Sequence, residues 1–199
     1  MSPSLRRATE ADAGACAEIY APYVLETSIS FEREPPDAAE LARRIREHGE
    51  FAPWLVAHDA QAPARCLGYA YGSRYRARPA YDWTAEVTVY VARDAQRRGV
   101  GRALYAALLE LMRLQGFHSA VGVIALPNAA SVALHEALGF APAGAVRAAG
   151  HKHGAWHDTG FWQCVLGAPG EVARPKRAVA DVLASAAGRA ILAAAARAD

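Results

Sequence analysis

The sequence predicts a mixed α/β fold built on one central sheet. Three observations carry that prediction. Segments of period two and of helical period follow one another along the chain. Two strand-like runs are joined by a short polar turn. A third strand leads through a glycine-containing turn into an amphipathic helix. At 199 residues the chain can bury one substantial core, and it contains no internal repeat.

Leu5-Arg6-Arg7-Ala8 reads as a first short strand. Thr9 caps a helix through about Tyr20, with Asp12 three residues on in the manner of a capping box. Glu26–Phe31 has no helical period and reads as a loop or a short extended piece. Pro35-Pro36 breaks the chain, and Asp37 with Glu40 makes a second capping-box signature for a helix carrying Leu41 and Ile45. Trp54–His58 and Cys66–Tyr75 are strands, with Asp59–Arg65 as the turn of an antiparallel hairpin. Glu86–Val91 alternates, is rich in β-branched residues and extends the sheet. The next helix repeats Leu104, Leu108 and Leu111 on one face and stops at Gly116.

His118–Leu126 is an apolar strand. Asn128 then caps a short helix that ends at Gly139, and Gly144–Ala149 and Asp158–Leu166 give further strands around a glycine-rich turn. From Ala168 the chain turns Pro- and Arg-rich, then alanine-rich. The expected organisation is a domain over 1–167 and a tail over 168–199. That tail, a linker and a helix, docks on the domain or on a partner subunit, or stays partly disordered.

The net charge of +2, with arginines spread along the chain, gives no basic block for nucleic acid. Cys16, Cys66 and Cys164 are odd in number and lack Cys-x-x-Cys spacing, so they read as thiols in a reducing compartment. The opening residues carry no signal-peptide pattern. The alanine-rich stretch after Ala178 contains Asp181, Arg189 and Arg197 and is not a membrane span. A soluble cytoplasmic protein with no membrane partner is expected.

The chemistry begins at Gln96-Arg97-Arg98-Gly99-Val100-Gly101, between the Glu86–Val91 strand and its helix. A glycine-containing turn at a helix N-terminus points backbone N–H groups outward, and with the helix dipole it binds phosphate or pyrophosphate. A P-loop would have Lys-Ser or Lys-Thr after Gly101, where Arg102-Ala103 stands. A dinucleotide fingerprint would have a glycine where Leu104 stands. What remains is Gln/Arg-x-x-Gly-x-Gly after a strand, or else an ordinary basic turn.

That pattern, with the order of elements, resembles the GNAT acetyltransferases over roughly residues 4–166. A narrower resemblance rests on Ala80–Glu86, Val89-Tyr90-Val91, Leu134–Phe140, Arg147–Gly154, Trp156-His157-Asp158 and Gly160–Gln163. These strings are similar to the phosphinothricin acetyltransferase family, which includes enzymes acting on methionine sulfone and methionine sulfoximine. The resemblance implies a GNAT fold with a mixed, mostly antiparallel sheet, acetyl-CoA as co-substrate, and a homodimer.

Acetyl transfer to an amine needs a neutral amine, donors for the developing oxyanion, and a stabilised leaving thiolate. Alternation places Glu86, Thr88 and Tyr90 on one strand face, so Glu86 is a candidate base; an isolated strand glutamate is otherwise a surface or salt-bridged group. The resemblance pairs it with His135, whose alternative role is structural. It also assigns coenzyme A to the backbone of Val89, Tyr90 and Val91, to the amides and charges of Arg97, Arg98, Gly99, Val100, Gly101 and Arg102, and to Asn128.

Arg76 and Arg78 suit bidentate binding of carboxylate, phosphinate or sulfone oxygens, unless they are simply solvated. Phe31 and Tyr81 are candidate pocket walls, and Thr88 a further substrate contact. His151 and His153 on one strand face, near His157 and Asp158, would be half a zinc site; no metal is expected. The reading is an N-acetyltransferase for the α-amino group of a small amino-acid analogue by direct transfer, a detoxifying activity. Its rivals are an acetyltransferase for another amine or a protein N-terminus, and a non-catalytic acyl-CoA sensor.

Overall fold

Residues 3–195 are described by the computed structural model; 1–2 and 196–199, with Arg197 of the expected tail, lie outside the described residues. Seven strands form one sheet: β1 (Pro3–Arg7), β2 (Trp54–Asp59), β3 (Ala62–Arg74), β4 (Thr84–Val91), β5 (Ser119–Leu126), β6 (Ala141–Lys152) and β7 (Ala155–Val165), in the order β1-β2-β3-β4-β5-β7-β6. Every neighbouring pair is antiparallel except β4–β5, at the centre. The helices are α1 (Ala13–Glu26), α2 (Ala38–Phe51), α3 (Val100–Gln115), α4 (Ala129–Ala137), α5 (Val179–Ala184) and α6 (Ala186–Ala195). This is the expected mixed, mostly antiparallel sheet flanked by helices.

Helix capping follows the side-chain logic of the sequence. Asp12 accepts hydrogen bonds from the Thr9 backbone N–H at 2.8 Å and from its hydroxyl at 3.1 Å. Asp37 Oδ1 accepts from Glu40 N at 2.8 Å. Two boundaries differ from expectation. The first helix proper starts only at Ala13, after a 3-10 turn, and continues past Tyr20 through Pro22 to Glu26, where the Thr27 hydroxyl donates to the Tyr23 carbonyl at 2.6 Å. The β2–β3 turn is Ala60-Gln61 rather than Asp59–Arg65, because Asp59 Oδ1 accepts from Gln61 N at 3.0 Å and reverses the chain at once.

The last two strands are also longer than their apolar runs. β6 is bulged between Val146 and Gly150, with Ala148 at φ 48° and its N–H bonded to Asp158 Oδ1 at 2.8 Å. The hairpin turns at His153-Gly154, both with positive φ, as a two-residue turn requires. His153 therefore lies in the turn, and the expectation that it shares a strand face with His151 lapses.

The sheet carries a core on each face. On one, Leu104, Leu108, Leu111 and Met112 of α3 pack against Leu55, Leu67, Ala70 and Val87. On the other, Ile19 and Val24 of α1 and Leu41 and Ile45 of α2 cover Trp54, Val56 and Tyr69. Each such buried leucine or isoleucine contributes about 1.5–3 kcal/mol. After Ala168 the chain runs without regular structure to α5 and α6, which pack on α3, with α6 also against β1; Val182 is fully buried in the α3-side core.

Candidate active site

The one parallel pair opens the site. β4 and β5 pair only from Thr84↔Ser119 to Val87↔Gly122 and then part. Beyond that point each strand stays with its outer neighbour, β4 with β3 through Val91 and β5 with β7 through Leu126, so a gap forms between them. Ala92 N donates to Leu67 O at 2.9 Å, which fixes the phase of the antiparallel ladder. By its alternation the Thr88 and Tyr90 amides face β3, and those of Val89 and Val91 face the gap. The Val87 and Val91 carbonyls are taken by the Tyr105 hydroxyl at 3.0 Å and the Tyr23 hydroxyl at 2.6 Å. Of Val89, Tyr90 and Val91, the first two line the cavity; the Val89 and Val91 amides face the gap and the Tyr90 amide bonds within the sheet. A cavity of about 440 Å³ fills the gap.

The expected phosphate loop stands at the end of β4. Gly99 takes φ 78° just before α3, where a side chain would be strained, and Arg97 takes φ 58°. Ala103 N bonds Gly99 O at 2.9 Å, so the preceding N–H groups of Val100, Gly101 and Arg102 have no intrahelical acceptor. Gly101 lies close under β4: a Cβ there would sit 3.4 Å from Val91 Cγ2. Arg97, Arg98 and Arg102 are exposed and, among the described residues, none is ion-paired. A pyrophosphate fits this end, with free amides, a helix dipole and three unpaired guanidinium groups.

Glu86 and Thr88 line the cavity from the α1 side, together with Phe31 and Tyr90. Burial raises the Glu86 carboxyl above its ordinary value, partly offset by the positive charge of Arg76. Phe31 is held over the β6–β7 hairpin: a Cβ on Gly150 would lie 2.3 Å from Phe31 Cε2. Lys152, buried in that hairpin, donates to Val24 O and Ser30 O at 2.6 Å each and fixes the loop that carries Phe31. Asn128 also lines the cavity, and its Oδ1 caps α4 by accepting from Ser131 N at 3.1 Å.

Arg76, Arg78 and Tyr81 are not among the cavity-lining residues; they stand on the β3–β4 loop outside it. The Arg76 guanidinium lies 4.4 Å over the Tyr75 ring and donates to Tyr75 O at 3.0 Å. Tyr81 packs edge-on to Tyr75 at 5.8 Å, and Arg78 is exposed ahead of a 3-10 turn. The loop leaves the sheet after Arg74; of these residues only Arg76 is close enough for its charge to act on Glu86, and none closes with Phe31 into one pocket.

His135 reaches the cavity from the opposite face of the sheet. Its ring is edge-on to Tyr105 at 5.1 Å and to Phe140 at 4.9 Å, on the α3 side. Nδ1 lies 2.7 Å from Ser131 O, and burial lowers its pKa, so the ring is neutral at neutral pH. Nε2 is buried without a hydrogen-bond partner. Glu86 and His135, which the resemblance pairs, line the same cavity from opposite faces of the sheet and share no hydrogen bond, because Glu86 alternates to the other face of β4. Sequence reasoning passed over Tyr20, Ser30, Tyr71, Tyr105 and Ser131, which also line the cavity. Their hydroxyls come from five separate elements, and no local motif links them.

The three cysteines lie outside the cavity lining. Among the described residues no group of three or more His, Cys, Asp or Glu could hold a metal ion, and no helix is long and apolar enough to cross a membrane.

The family described as acetyltransferase (GNAT) domain matches residues 5–161. Phosphinothricin N-acetyltransferase of Streptomyces viridochromogenes is 46% identical over 173 residues, 86% of this chain and 93% of the relative. The L-methionine sulfoximine/L-methionine sulfone acetyltransferase of Pseudomonas aeruginosa is 37% identical over 167 residues, 83% of this chain and 96% of the relative. The crystal structure of a phosphinothricin acetyltransferase from Sinorhizobium meliloti in complex with acetyl-CoA is similar with a TM-score of 0.81 and 37% identity, over 90% of this chain and 99% of that one.

Proposed function

The chain belongs to the GNAT acetyltransferase family, and on that premise we propose how its cleft works and on what. It is an N-acetyltransferase that uses acetyl-CoA and acts on the α-amino group of a small amino-acid analogue: phosphinothricin, methionine sulfoximine or methionine sulfone. The observation that carries the mechanism is a half-buried carboxylate, Glu86, lining the same cavity as Val89, whose amide faces the gap between β4 and β5.

Acetyl-CoA supplies an activated thioester. The free amides and arginines at the start of α3 hold its pyrophosphate, and Asn128 and the β4 edge hold its pantetheine arm. The Val89 N–H is placed to donate to the thioester oxygen as charge develops there. Glu86, with its raised pKa, takes the proton that the substrate ammonium must lose before its nitrogen can attack; as the C–N bond forms the C–S bond breaks, and the second proton lost by that nitrogen goes to the departing thiolate. Thr88 and Phe31 line the substrate side of the cleft. Arg76, whose charge acts on Glu86, and Arg78 on the same loop receive the carboxylate and the phosphinate or sulfone oxygens. His135 acts from the far wall by fixing α4 against β5 rather than as the base. Transfer is direct, since none of the cysteines lines the cleft.

Two further features belong to this reading. Trp156, 67% exposed on the β6–β7 hairpin, is the apolar group assigned to the contact with a second copy in a homodimer. A cytoplasmic place, where acetyl-CoA is available, and a detoxifying or resistance role complete it, with residues 1–167 carrying the reaction.

The test is acetyl-CoA-dependent thiol release with phosphinothricin, methionine sulfoximine, methionine sulfone and a generic peptide amine in parallel. Turnover confined to the amino-acid analogues is expected. Turnover of the peptide alone would move the substrate to a protein N-terminus, and acetyl-CoA binding with no turnover would leave a sensor.

A further inference from the structure

The chain between β7 and α5 crosses the end of the sheet opposite the acetyl-CoA cleft, and residues 162–195 lie outside the stretch matched by the family. It is fixed at both ends. Leu166 N donates to His118 O at 2.8 Å and Arg113 Nε donates to Leu166 O at 3.1 Å. At the far end Val179 and Val182 are buried.

Between these anchors the strap grips one segment. Lys176 Nζ donates to Asp82 O at 2.6 Å, and Trp83 Nε1 donates to Arg174 O at 2.7 Å. The Lys176 ammonium also sits 3.9 Å from the Phe51 ring centroid and 4.0 Å from that of Phe117, which are themselves edge-to-face at 5.2 Å. Arg177 N donates to Gln115 O at 2.9 Å, so the same stretch also satisfies a carbonyl at the end of α3. Burial lowers Lys176 to about 8, which leaves it the ammonium at neutral pH.

Asp82 and Trp83 close the loop that carries Arg76, Arg78 and Tyr81 and lead directly into β4 and Glu86. The loop's own ion pair, Arg74–Asp82 at 2.7 Å, is 62% and 40% exposed and holds it weakly. We propose that the strap Arg174–Lys176 is a positioning element: by holding Asp82 and Trp83 it sets where the loop presents Arg76 and Arg78, and hence the affinity for the amino-acid substrate. Lys176 is its latch, needing both a donor for the Asp82 carbonyl and a cation between two rings. The effect on substrate rests on the assignment of Arg76 and Arg78 above; the grip on the loop does not.

The test uses the full chain and the variants Lys176→Met, Lys176→Arg and Trp83→Phe. Two readouts are taken: KM for phosphinothricin and for acetyl-CoA, and hydrogen exchange of the amides of residues 75–83. Lys176→Met is expected to raise the phosphinothricin KM about tenfold and leave the acetyl-CoA KM within about twofold. Exchange over 75–83 should quicken about tenfold while that of 86–91 is unchanged. Lys176→Arg, which keeps a cation and a donor, should recover most of both effects, and Trp83→Phe should follow Lys176→Met in weaker form. Unchanged exchange over 75–83 would overturn the grip. Quickened exchange with both KM values rising together would overturn the positioning role and leave a merely structural strap. If the wild-type chain turned over no amino-acid analogue, the substrate assignment would fall, and exchange alone would decide whether the strap holds the loop.

Discussion

Replacing Gly122 by alanine probes how the far wall of the cleft is built. Gly122 has an ordinary strand conformation, so its lack of a side chain serves space rather than backbone freedom. A Cβ there would lie 2.3 Å from His135 Nε2 and 2.5 Å from Cδ2. The contact must open by about 1 Å to reach van der Waals distance. His135 cannot step aside, because Nδ1 is 2.7 Å from Ser131 O and the ring is held between Tyr105 and Phe140. Overpacking of this kind costs about 1–3 kcal/mol, and loss of the Nδ1 hydrogen bond about 1 kcal/mol more. In a His135→Ala background the obstruction is gone, and alanine in a strand is then favoured over glycine by about 0.5–1 kcal/mol. Urea denaturation of the four proteins of this double-mutant cycle should therefore give a coupling of about 2–4 kcal/mol. A Gly122→Ala cost that is the same in both backgrounds would refute the packing argument.

The other predictions concern chemistry, cofactor and assembly. Glu86→Gln should lower kcat about 10²–10⁴-fold. It should melt no lower than wild type at neutral pH, since the raised pKa of Glu86 means that its ionised form costs stability there. In the wild type, kcat/KM should rise with pH through a limb above the ordinary carboxylate range. Arg76→Met, which removes the charge holding Glu86 down, should move that limb to higher pH. Replacing Arg98 and Arg102 together by alanine should raise the acetyl-CoA KM about tenfold and flatten its salt dependence, with the amino-acid KM little changed. Trp156→Glu should shift a dimer to monomer in sedimentation; an unchanged sedimentation coefficient would remove the β6–β7 surface as the interface.

What could be read from the sequence was what is encoded locally. The Thr9/Asp12 and Asp37/Glu40 signatures, the leucine stripe of α3 and the Gly99 turn each state a preference that neighbouring residues satisfy. Exposed strand was harder to see. Ala62–Ala64 at the start of β3 and Ala141–Ala143 at the start of β6 are exposed and rich in alanine and proline, so neither shows the alternation by which a strand is recognised. The site was legible where a strand or loop makes it: Glu86, Thr88 and the Gly99–Gly101 turn were identified as candidates. What depends on pairing was not. The splay after Val87 and Gly122 comes from which neighbours β4 and β5 keep, and it decides that Val89 and Val91 present amides while Tyr90 does not. The opposite-face placement of Glu86 and His135 follows from the same pairing.

Under the proposed mechanism the cleft between β4 and β5 holds both substrates at once and passes the acetyl group straight to the amine. Initial velocities measured over a matrix of acetyl-CoA and phosphinothricin concentrations test it most directly. Double-reciprocal lines that intersect are predicted, as a complex of enzyme with both substrates requires. Parallel lines would mean that the acetyl group rests on the protein before the amine arrives, and would contradict direct transfer with Glu86 as the base.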